Sequence, residues 1–124
     1  MSTREVMAAR RATADAVAEA ASHAVRTEER YVRLLEQDGL DGPESEATAL
    51  WRRAHVRGQL LLAEALEDAA AARETRRGAS LAVFSMRGWA STIRRGAARY
   101  GALASVVRDE LAEERALRGT AVAG

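Results

Sequence analysis

The sequence predicts an all-α protein, an elongated antiparallel bundle of three long helices that dimerisation would complete. Apolar residues recur at alternating spacings of three and four over three long stretches, the signature of a helix face packed on other helices. One strong chain breaker, at residues 39–43, and one weaker one, at 77–80, fall between those stretches. Alanine, with 29 copies in 124 residues, and arginine, which supplies all nineteen cations, both rank high in helix propensity.

A chain of this size makes one domain and one core. Val, Ile, Leu and Phe together number only 23, so the core of a single copy is thin unless the helices approach closely through small side chains. The net charge of +1 gives little self-repulsion and favours folding over disorder.

The first helix is expected over about residues 3–38. Ser2-Thr3-Arg4-Glu5 has the form of a capping box, in which Ser2 accepts from the Glu5 amide while Glu5 reaches back. Thr13, Val17, Ala20, Ala24, Thr27, Tyr31 and Leu34 then follow a seven-residue register. Gly39 suits a helix-ending position, with Leu40 placed to touch Leu35 as in a Schellman ending.

Gly39-Leu40-Asp41-Gly42-Pro43 is the strongest break and holds the only proline. Asp41 and Glu44 repeat the capping-box spacing, and the second helix is expected over about 43–76. Its register runs through Ala47, Trp51, Ala54, Gly58, Leu61, Ala65 and Ala72, widened by Leu50, Leu62 and Leu66. A second turn is expected at Arg77-Gly78-Ala79-Ser80, with Gly78 ending one helix and Ser80 capping the next.

The third helix is expected over about 80–117, with a frayed tail at 119–124. Its buried stripe reads Ala82, Met86, Trp89, Ile93, Gly96, Tyr100, Leu103 and Val107. Gly88, Gly96 and Gly101 are unfavourable inside a helix. Two readings explain them, close approach of a neighbouring helix or loosening where the helix bends, and the first is the commoner cause.

Composition excludes much chemistry. Cysteine is absent, which removes disulfides, thiolate metal sites and cysteine nucleophiles. His23 and His55 are the only histidines, and neither follows a glutamate by three residues as a di-iron bundle requires. No phosphate-binding glycine loop, nucleophile elbow or catalytic carboxylate pair stands out, so neither enzymatic activity nor a metal or other cofactor is expected. No apolar run approaches the roughly 18 residues of a membrane span, the first residues lack the apolar core of a signal peptide, and a cytoplasmic location is expected. The crowded acids Glu64, Glu67 and Asp68, and Asp109, Glu110, Glu113 and Glu114, read as solvated faces or as partners for a neighbouring helix's arginines.

Residues 75–108 contain seven arginines and no acid. On a helical wheel Arg87, Arg94, Arg95 and Arg99 fall opposite the apolar stripe, giving a basic face for an acidic protein partner or a nucleic acid. Around His55, Ala54-His55-Val56-Arg57-Gly58-Gln59 resembles the phosphorelay histidine-phosphotransfer domains, which are helical bundles with an exposed histidine followed by a cation and a small residue. Here Arg57 and Gly58 come one residue earlier than in that pattern.

The functional expectation is a non-enzymatic, homo-oligomeric adaptor or assembly factor. Its seams hold Tyr31, Leu34, Trp51, Leu61, Trp89, Ile93, Tyr100 and Leu103, and Arg87, Arg94, Arg95 and Arg99 form its outward contact surface. A DNA- or RNA-binding regulator using the same basic face is the alternative, and a phosphorelay-type protein using His55 a minor one.

Overall fold

The computed structural model describes residues 2–39 and 41–123. Among them lie four helices, α1 (Thr3–Asp38), α2 (Glu46–Arg77), α3 (Leu81–Ala98) and α4 (Ala102–Ala123), and no strand. None of these helices is long and apolar enough to cross a membrane.

The expected capping box opens α1. The Glu5 amide donates to Ser2 Oγ at 3.1 Å, and the Ser2 amide donates to Glu5 Oε2 at 3.1 Å. Gly39 closes the helix at φ +78° with its N–H on the Leu35 carbonyl, a backbone geometry that favours glycine. The anticipated Leu40 contact lies outside the described residues. α2 starts at Glu46, three residues later than expected, because Ser45 and not Asp41 is its cap. Ser45 Oγ accepts from the Thr48 amide at 3.2 Å, while the Ser45 amide donates to Asp38 Oδ2 at 2.9 Å. One side chain from the end of α1 thereby fixes the start of α2.

The second turn falls where expected. Gly78 has φ +77° and Ser80 Oγ accepts from the Val83 amide. α3 then returns antiparallel along α2. Arg87 pairs with Glu74 and Arg94 with Glu67, two bridges with the same seven-residue spacing on each helix.

The expected single third helix is instead two. Arg99, Tyr100 and Gly101 form a tight turn, with Gly101 at φ +58°, and α4 runs parallel to α2, where Arg53 meets Glu110 and Arg57 meets Glu114. Packing explains the break. The reversal lays Val107 and Leu111 over Val56 and Leu60, whereas a straight continuation would carry Val107 and Leu111 away from α2. α4 extends through Gly119 to Ala123, beyond the expected end at about 117.

α2 is thus the centre of the molecule, flanked by α1, α3 and α4. One buried cluster joins Ala24 of α1, Leu62, Ala63 and Leu66 of α2, and Ala90 and Ile93 of α3. The other joins α2 to α4 and the end of α3. The α1 register holds, with Ala24, Thr27, Tyr31 and Leu34 all buried. On α3 the buried stripe is rotated from the expected one, running Val83, Ala90, Ile93, Ala97. Trp89, expected inside, is 52% exposed. Met86 and Ile93 of the expected stripe do pack on the core, and Trp89 falls outside it; α3 also meets α2 through Ala90 and Ala97, which let the backbones come close.

Glycine usage follows the same logic. A Cβ on Gly58 would lie 2.9 Å from Thr27 Oγ1 and 3.4 Å from Ala24 Cα, so the close approach is there, whereas Gly88 and Gly96 face open space. Gly58→Ala is therefore expected to cost about 1–3 kcal/mol through overpacking. Gly96→Ala should stabilise the protein by up to about 1 kcal/mol through helix propensity. Urea unfolding of both variants checks the pair; a Gly58→Ala protein as stable as the parent would contradict the close α1–α2 crossing.

Candidate functional site

The expected basic face separates into two parts. Arg94 reaches α2 and makes a bidentate pair with Glu67, at 2.8 Å and 2.5 Å, and Arg87 does the same with Glu74 at 2.6 Å and 3.2 Å. The hydrogen bonds from Arg94 hold the Glu67 carboxyl below its ordinary pKa, and those from Arg87 do so for Glu74. Arg95 and Arg99 remain exposed, and no carboxylate among the described residues lies within ion-pair distance of either. On α4, Arg115 bridges Glu64 and Asp68. The acid clusters are therefore largely partners of arginines on neighbouring helices.

A different set of arginines gathers where the start of α1, the end of α2 and the start of α3 meet. There a valley of about 520 Å³ has an apolar floor of Met7, Ala14, Val17, Ala69 and Met86, and a rim of Arg10, Arg11, Arg73 and Arg76. None of these four has an ion-pair partner among the described residues. The Nε of Arg73 is buried without a hydrogen bond. Fixed cations around apolar surface suit an anionic partner that also carries apolar groups, and the valley is open enough to admit one.

Sequence reasoning missed this site because the four arginines lie about sixty residues apart in two groups. Only the hairpin brings them together. Folding α1 back on α2 about the Gly39–Pro43 break sets residue 10 beside residue 73, so the signal was present in the position of the turn.

The expected seam residues are mostly used within one copy. Tyr31, Leu34 and Ile93 are buried, while Leu61, Tyr100 and Leu103 are half-buried. Trp51, also half-buried, lies beneath the Arg30 guanidinium at 5.9 Å, within range of a cation–π contact. Leu61 and Ala65 line a second groove, between α1 and α2.

His55 is 9% exposed. Its ring stacks on Tyr31 at 5.5 Å and meets the edge of Tyr100 at 5.7 Å, so it ties α1 and the α3–α4 turn to α2. A phosphoryl acceptor must be reached by its donor, and this ring is enclosed by two tyrosines. Among the described residues no group of three or more His, Asp or Glu side chains is placed to hold a metal ion.

No family model matches the chain, and no curated protein or solved structure does.

Burial pushes the His55 pKa below its ordinary 6.5, with Glu28 acting in the opposite sense. The unfolded chain therefore binds a proton more readily than the folded one. Stability should be unaffected by His55 above about pH 6.5 and fall as the pH drops from there through the folded-state value. Denaturant midpoints of the parent and His55→Phe between pH 7.5 and 5 check this: the parent should lose more stability over that window, and parallel curves would contradict it.

Proposed function

We propose that this chain is a non-enzymatic helical interaction protein, a homo-oligomeric adaptor or assembly factor. One observation carries the reading, the sorting of arginines. Those facing α2 from α3 and α4 are neutralised within the chain by Glu64, Glu67, Asp68 and Glu74. Those around the α1–α2–α3 valley have no internal acid among the described residues, although they border apolar surface. Holding four guanidinium groups close together is unfavourable unless solvent or a partner's carboxylates screen them. A binding face supplies the reason for such an arrangement.

Nucleic-acid binding is the second reading, and the exposure of Trp89 favours it. An accessible indole on α3, which also presents Arg95 and ends at Arg99, could stack on a base while the arginines meet phosphates.

One experiment separates the readings: the molar mass of the purified protein by light scattering at low and moderate salt, alone and with a single-stranded oligonucleotide. Self-association gives a dimer or larger species without the oligonucleotide, and no mass gained on adding it. A monomer that takes up oligonucleotide at low salt and releases it as salt rises would replace the first reading by the second.

A further inference from the structure

We infer that the surface filling the basic valley is α1 of a second copy, laid antiparallel across it about a two-fold axis near Ala21. This inference rests on the self-association reading and names its interface.

The outward face of α1 is chemically divided. Met7, Arg10, Ala14, Val17, Ala21, Val25, Glu28, Val32 and Leu35 follow one another at spacings of three and four and so form one stripe along the helix. The inner stripe, through Ala24, Thr27, Tyr31 and Leu34, is spent within the copy. The outer one is open toward its two ends, while Val17 and Ala21 at its middle are half-buried against the core. Met7 is 49% exposed, Val25 52%, Val32 43% and Leu35 41%, an unusual run of accessible apolar side chains on one helix face.

Charge divides this stripe into halves. Its first half carries Arg10 and Arg11 on the valley rim. Its second half carries Glu28, with Glu29 and Glu36 beside it, all exposed and without an ion-pair partner among the described residues, while Arg26, Arg30 and Arg33 fall on the other side of the helix. Glu28, Glu29, Val32 and Arg33 line a shallow depression there, so that acids outnumber bases around it. One half therefore offers what the other lacks.

An antiparallel pairing centred on Ala21 satisfies both halves at once. Met7 of each copy then meets the partner's Leu35, and Val17 meets Val25. Arg10 and Arg11 come within one helical turn of the partner's Glu28 and Glu29, and Arg73 and Arg76 on α2 extend the basic wall. Each contact occurs twice, as a two-fold interface requires, and the assembly closes as a dimer. A parallel pairing would set arginine against arginine and glutamate against glutamate.

Complementary charge reversal tests the interface. R10E/R11E places acid against acid in its own homodimer, and E28R/E29R places base against base. Sedimentation equilibrium should find each variant at least about a hundredfold weaker in self-association than the parent, since like-charge juxtaposition costs several kcal/mol. Mixing the two should restore a dimer, because both contacts of the mixed pair are again opposite in charge. Recovery on mixing also shows that both variants are folded. A dimeric parent whose variants dimerise equally well would place the interface elsewhere, overturning this inference and leaving self-association intact. A parent that stays monomeric at all concentrations would overturn both, and binding of polyglutamate by that monomer would assign the valley to an acidic partner of another kind.

Discussion

The close approach of helix backbones in an alanine-rich interior is the constraint on which the rest depends. With few large aliphatic side chains, buried area has to come from proximity. Gly58 lets α1 cross against Ala24 and Thr27, and Ala63, Ala70, Ala90 and Ala97 are each no more than 2% exposed. α2 meets this demand by occupying the centre. Its buried positions, among them Val56, Gly58, Leu60, Leu62 and Leu66, spread over more than half of its circumference rather than forming one stripe. The α3–α4 turn follows from the same need, since α4 covers part of α2 that a straight third helix would leave bare.

That arrangement decides where the charges go. A central helix covered by three neighbours keeps its own acids at the seams, and arginines from α3 and α4 meet them there. These pairs are largely exposed and screened by solvent, so each contributes little to stability. Their larger effect is on register, because bidentate arginine–carboxylate geometry fixes the sliding position of α3 and orients α4. Among the charges left without an ion-pair partner in the described residues are Arg10 and Arg11 toward one end of α1 and Glu28, Glu29 and Glu36 toward the other, with Arg26, Arg30 and Arg33 on the remaining side of that second half.

Much of the fold was legible in the sequence, and the failures share a cause. The Ser2 capping box, the two interhelical breaks and the inner α1 register were readable because each depends on residues close in sequence. The rotation of the α3 stripe was not. It depends on how near two backbones can come, and the wheel drawn through Trp89 gave weight to size where Ala90 and Ala97 take the contact. Gly101 was seen as unfavourable in a helix, but that it ends one could not be told from Gly88 or Gly96 without knowing that Val56 and Leu60 wait for Val107 and Leu111. Of the site, Arg95 and Arg99 were placed outward from periodicity alone. The pairing of Arg87 and Arg94, and the gathering of Arg10, Arg11, Arg73 and Arg76, required the relative positions of three helices.

The absence of cysteine makes a direct test of the α1 pairing simple. A single cysteine introduced by Ala18→Cys, at an exposed position three residues from Ala21, can carry a nitroxide label for electron-spin distance measurement. Antiparallel pairing about Ala21 sets the two labelled backbone positions about 13 Å apart, from a rise of 1.5 Å per residue and a helix separation near 10 Å. Labels at residue 4 should then lie about 50 Å apart by the same geometry. A short distance at 18 together with a long one at 4 is the expected result. Labels at 18 that show no coupling in a sample known to be dimeric, or labels at 4 found close together, would contradict the pairing.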